Sequence, residues 1–123
     1  PDHHVPKNNL TILRILNCLR IMSSTSIVHC SAGVGRTGTF VAIEMLQIEL
    51  LSYCKPNIDL AELVQRLRAM RMTSVQTALQ YAYIVVVIGD YALANNMLSP
   101  NAIKLYKKYH ADFGVAMQLN AAA

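Results

Sequence analysis

Cys30 and Arg36 stand six positions apart, with Gly33 and Gly35 between them, in the run His29-Cys30-Ser31-Ala32-Gly33-Val34-Gly35-Arg36-Thr37-Gly38. None of residues 31–36 is proline. Each of them therefore carries a backbone N–H that can turn inward, and a ring of such amides is a cradle for a tetrahedral anion. Gly33 and Gly35 give the backbone the freedom to wrap tightly, and a helix beginning near Arg36 aims its positive dipole end at the same point. The same field lowers a cysteine pKa from about 8.5 into the range of about 3.5 to 7.5 found at helix N-termini and beside cations, which turns the Cys30 thiol into a nucleophile.

Arg36 supplies a planar fork that can hold two oxygens of a phosphoryl group at once, which a lysine point charge cannot do. Thr37 can give its hydroxyl to the sulfur and help the thiolate depart. His29 can orient the thiolate through a hydrogen bond, or it can be a core histidine satisfied by a carbonyl. Read without its neighbours, Cys30 is a small buried residue of a strand. The two glycines, the arginine and the helix start in register argue for chemistry instead.

From His29 to Gly38 the sequence resembles, residue for residue, the signature loop of the tyrosine-specific, cysteine-dependent protein phosphatases. The resemblance implies hydrolysis of phosphotyrosine in proteins through a cysteinyl-phosphate intermediate. Cys30 would then be the nucleophile and Arg36 the phosphate clamp, with Ser31, Ala32, Gly33, Val34 and Gly35 lining the phosphate site. Asp2, followed by His3, Val5 and Pro6, is similar to the remnant of the family's mobile Trp-Pro-Asp loop (here residues 1–6), with the tryptophan just before Pro1. By that likeness Asp2 is the general acid, a role worth about 100- to 10,000-fold in rate. Taken alone it would be an ordinary turn aspartate. The segment from Arg71 to Tyr81 resembles the family's glutamine loop (75–81) and the helix after it, which implies that Gln76 positions the hydrolytic water and Gln80 assists. Family members often carry acidic residues where Ala78 and Leu79 stand here.

Other classes share parts of this pattern. A phosphotyrosine-binding pseudophosphatase typically substitutes the cysteine, aspartate or arginine, and all three are present. A dual-specificity or phosphoinositide phosphatase has the same Cys-to-Arg spacing. A lipid enzyme is expected to have lysines inside the loop, where this sequence has Ala32 and Val34.

Short elements must position these residues. Leu10, Ile12, Leu13, Ile15, Leu16, Leu19 and Ile21 set a helical period from about Asn9 to Met22. The β-branched stretch 26–30, flanked by breakers, reads as a buried strand delivering Cys30. A long helix runs from Thr37 to about Tyr53 before Pro56, and another follows the cap-like Asp59 to near Arg71. A third begins near Ser74 or Thr77 and reaches Leu93, and Pro100 precedes a last basic helix, Asn101 to His110. The expected class is α/β: part of a mixed sheet flanked by helices, in a mostly helical chain with one strand before the signature loop. By the resemblance, residues 1–123 form the C-terminal portion of one catalytic domain, which is expected not to dephosphorylate efficiently or melt cooperatively by itself.

The 123 residues are 54% hydrophobic and 15% charged, with a net charge of +4. This excludes a disordered chain. Arg66, Arg68 and Arg71, like Lys104, Lys107 and Lys108, recur at helical spacing, which fits solvated helix faces better than a nucleic-acid surface. Cys18, Cys30 and Cys54 make an odd count with no metal-ligand pairing, and a reducing, cytoplasmic setting is the default, whether for a free enzyme or for the cytoplasmic domain of a receptor. The longest apolar run, 82–88, is far short of the ~20 residues that span a bilayer, so no membrane contact is expected from this segment. His3 and His4 have no further ligand nearby, and neither metal nor cofactor is expected. The expected partner is a phosphotyrosine-containing protein.

Overall fold

A computed structural model of the chain describes residues 5, 9–53 and 57–122. These form five helices: α1 (Asn9–Ile21), α2 (Arg36–Leu51), α3 (Leu60–Met70), α4 (Ala78–Ala94) and α5 (Pro100–Ala122). Helix α4 is apolar on nearly all sides, a pattern that suits a helix surrounded by others. It packs against α1, α2 and α5, while α3 packs on α2. Its Tyr83, Ile84, Val86 and Val87 are fully buried, together with Ala42 and Ile43 of α2 and Leu63 of α3. Each large aliphatic or aromatic side chain so buried contributes about 1.5–3 kcal/mol.

Helix starts follow local chemistry. The Asp59 carboxylate accepts from the amides of Ala61 at 2.8 Å and Glu62 at 3.4 Å, which caps α3. The Thr77 hydroxyl accepts from the Gln80 amide at 3.1 Å and caps α4. Helix α2 starts at Arg36 behind Gly35, and no side chain caps it. Its first amides remain available to an anion.

Two expectations are corrected. Among the described residues there is no strand: residues 25–30 form no regular element, with Ile27 89% exposed. A strand exists only when a neighbour completes its ladder of hydrogen bonds, and no described segment runs alongside this one. The α/β class is therefore represented here by its helical part. The last helix is longer than expected and runs through Gly114 to Ala122. Phe113 explains this, because it is buried against the Tyr83 ring at 6.1 Å and anchors α5 beyond the point where the sequence turns polar.

Candidate active site

Cys30 is half-buried at the end of the irregular segment 25–30, and the chain turns through 31–35 into α2. Gly33 has φ +72°, the left-handed conformation that favours glycine. The turn closes onto the helix through the amides of Gly38 and Thr39, which donate to the carbonyls of Val34 at 3.1 Å and Gly35 at 2.9 Å. The Thr39 hydroxyl also donates to the Gly35 carbonyl, at 2.9 Å.

Burial pushes the Cys30 thiol up, but the Thr37 hydroxyl and the amides of Thr37, Gly33 and Val34 outweigh it. The thiol pKa is lowered from 9.0 to about 7. The Thr37 hydroxyl has no hydrogen-bond partner among the described residues, and it is the strongest influence lowering the thiol. Arg36 is exposed as the first residue of α2. With His29, Thr37, Gln80 and Tyr83 it lines a cavity of about 230 Å3. Gln80 and Tyr83 are almost wholly buried, and each has a polar atom, Gln80 Nε2 and the Tyr83 hydroxyl, without a partner among the described residues.

The glutamine turn presses against the loop from the other side. The Val75 amide donates to the Val34 carbonyl at 3.0 Å. Val75 itself has φ 61°, where a β-branched residue is strained. Arg68 holds this turn, since its guanidinium donates to the carbonyls of Ser74 and Val75, both at 2.9 Å. The result places Gln76 Oε1 and Gln80 Nε2 against Gly35, where a Cβ would collide with the first and lie 3.2 Å from the second. The Gln76 amide donates to Gln80 Oε1 at 2.9 Å, so the two glutamines act as one unit.

Cys30, Thr37, Gln76 and Gln80 are thus brought together around the loop 31–36, and His29 and Arg36 stand at its flanks. Asp2, His3, His4 and Cys54 lie outside the described residues. Two residues escaped the sequence reading. Arg68 and Arg71 looked like members of a solvated basic face, yet Arg68 braces the strained turn, and Arg71 Nε donates to the Gly33 carbonyl at 3.0 Å across 38 residues of sequence. Only their position, seven and four residues ahead of the glutamine turn, could have hinted at it. Arg66 pairs with Glu49 of α2, and Cys18 is exposed on α1.

Comparison with known proteins identifies the family. The family model described as protein-tyrosine phosphatase matches residues 1–90. Receptor-type tyrosine-protein phosphatase alpha of Homo sapiens is 35% identical over 118 residues, covering 88% of this chain and 14% of the relative. Protein-tyrosine-phosphatase PTP1 of Arabidopsis thaliana is 41% identical over 93 residues, covering 73% of the chain and 27% of the relative. A human phosphatidylinositol phosphatase, PTPRQ, is 36% identical over 94 residues, covering 73% of the chain and 4% of the relative. The chain belongs to the protein-tyrosine phosphatase family, and it spans about a seventh to a quarter of the length of the first two of these relatives. Among the described residues, no helix is long and apolar enough to cross a membrane.

Proposed function

We propose that this chain carries the catalytic loop of an enzyme that hydrolyses phosphotyrosine in proteins. The observation behind the reading is the convergence on one turn of a thiol lowered to about 7 and a glutamine pair packed on Gly35. Cys30 as thiolate attacks phosphorus while the bond from phosphorus to the tyrosyl oxygen breaks, and Asp2 delivers its proton to that oxygen. Arg36, the loop amides and the start of α2 hold the phosphoryl oxygens, and this is where catalysis of phosphoryl transfer mostly lies. Gln76, held by Gln80, places a water on the cysteinyl phosphate. Asp2 takes the water's proton, the S–P bond breaks, and the Thr37 hydroxyl receives the departing thiolate. A neutral amide suits the water-positioning task because it donates and accepts without titrating.

The chain is similar both to relatives named as tyrosine-protein phosphatases and to one named as a phosphatidylinositol phosphatase. Ala32 and Val34, uncharged where an inositol phosphate would need cations, favour the phosphotyrosine substrate. The test is turnover of a phosphotyrosine peptide, beside a phosphoinositide, by the full-length protein that contains this chain, with trapping of phosphocysteine. Loss of turnover in Cys30→Ser and a steep fall in Asp2→Ala support the reading. Tight peptide binding without turnover in the folded wild type would make it a pseudophosphatase, and preference for the lipid would reassign the substrate.

A further inference from the structure

The guanidinium of Arg71 reaches the signature loop from the end of α3. Its Nε donates to the carbonyl oxygen of Gly33 at 3.0 Å. Its Nη2 lies 2.9 Å from where a Cβ on Gly33 would stand, so the fork lies directly on this left-handed glycine. The Gly33 carbonyl and the Val34 N–H belong to one planar peptide unit and point in opposite directions. A cation bound to the oxygen end draws electron density along that unit and strengthens the N–H as a donor. The Val34 amide is one of the groups that favour the Cys30 thiolate. Arg71 is itself fixed, because its backbone amide donates to Leu67 and its carbonyl accepts from the Ser74 hydroxyl at 2.7 Å. The neighbouring Arg68 clamps the carbonyls of Ser74 and Val75. The last turn of α3 therefore serves both loops at once: Arg68 holds the glutamine turn and Arg71 holds the cysteine loop.

We propose that Arg71 is a positioning residue for the nucleophile, acting through the Gly33–Val34 peptide to turn an amide onto the Cys30 sulfur and to sharpen it as a donor. The proposal rests on the reading of Cys30 as nucleophile. It assigns Arg71 no contact with the substrate.

The experiment is the pH dependence of Cys30 alkylation by iodoacetamide in the full chain, followed by site-resolved mass spectrometry, for wild type, Arg71→Met and Arg71→Gln. His29 and Arg36 remain in every variant, so only the charge on the Gly33 carbonyl changes. Both variants should raise the midpoint by roughly half to one pH unit, which slows labelling at pH 6.5 about three- to tenfold. Circular dichroism separates this from unfolding. An unchanged midpoint in either folded variant overturns the proposal. Loss of fold in both also overturns it, by assigning Arg71 to the scaffold. If wild-type Cys30 alkylates no faster than the exposed Cys18 at pH 7, the nucleophile reading itself fails, and that outcome is distinct from any effect of Arg71.

Discussion

The amide of Val75 meets the carbonyl of Val34 at 3.0 Å, and this bond joins the turn that carries the glutamine to the loop that carries the cysteine. Gly38 permits the approach, since a Cβ there would stand 2.8 Å from the Val75 nitrogen and 2.9 Å from Ser74 Cβ. The obstacle is backbone, which cannot swing aside. Gly38→Ala should therefore cost about 1–3 kcal/mol, read as a lower midpoint in urea, and should lower activity together with stability. A midpoint equal to wild type would show that α2 and the turn can separate without loss.

Gly35 makes the opposite prediction. There the obstacle is the flexible end of Gln76, with Gln80 next to it, and the Gly35 φ of −74° lies outside the left-handed region that favours glycine. Gly35→Ala should keep its melting temperature within about 2 °C of wild type while displacing Gln76. Hydrolysis of the cysteinyl phosphate then slows about 10- to 100-fold, whereas its formation slows less. Rapid-quench kinetics would show a burst followed by slow turnover, and equal slowing of both phases would count against the water-positioning role.

The Cys30 pKa has a definite sign. A thiol lowered to about 7 in the fold and ordinary when unfolded is deprotonated in the native chain across the interval between the two. The unfolded chain binds the extra proton there, so stability rises with pH across that interval and the gain is lost as pH falls through about 7. Thr37→Val removes a donor to the sulfur and should move the alkylation midpoint upward. A midpoint that stays at its wild-type value would remove the hydroxyl from the account.

Much of the fold was legible because its punctuation is local. Asp59 and Thr77 announce α3 and α4 through side chains that reach amides two or three residues on. The cradle around Cys30 was legible for the same reason, since backbone amides, two glycines and a helix start all lie within ten residues. What depends on distant partners was not. The segment 25–30 has the composition of a strand, but composition does not supply the strand beside it. The reach of Arg71 across 38 residues leaves no trace in spacing, because a solvated arginine and a bracing one look alike on a helix face. Helix α5 passes through Gly114, with Phe113 against Tyr83 and Met117 against the core.

Helix α5 offers a fourth test. The Tyr106 hydroxyl lies 2.6 Å from Asp90 Oδ1 and 2.9 Å from the Val86 carbonyl oxygen, which share its one proton, and its ring lies over Gly89. Tyr106→Phe keeps the ring and removes both bonds. It should destabilise the chain by about 1–2 kcal/mol, the range for partly buried bonds with one charged acceptor, and chemical denaturation measures it. A neutral result would mean that the Tyr106 hydroxyl adds nothing to the hold on α5, leaving its apolar contacts and the Tyr109 bond to the Ala82 carbonyl.

Asp90 is the last residue that the family model matches. Its carboxylate nevertheless accepts from Asn9 Nδ2 of α1 at 2.6 Å on one oxygen and from Tyr106 of α5 on the other. A border drawn by sequence similarity therefore cuts through a three-helix junction, and a chain trimmed to that border would leave a half-buried anion stripped of one donor and Tyr83 bared where Phe113 had covered it. The packed unit extends past the family's signature, and its extent is set by where polar groups find their partners rather than by where kinship fades.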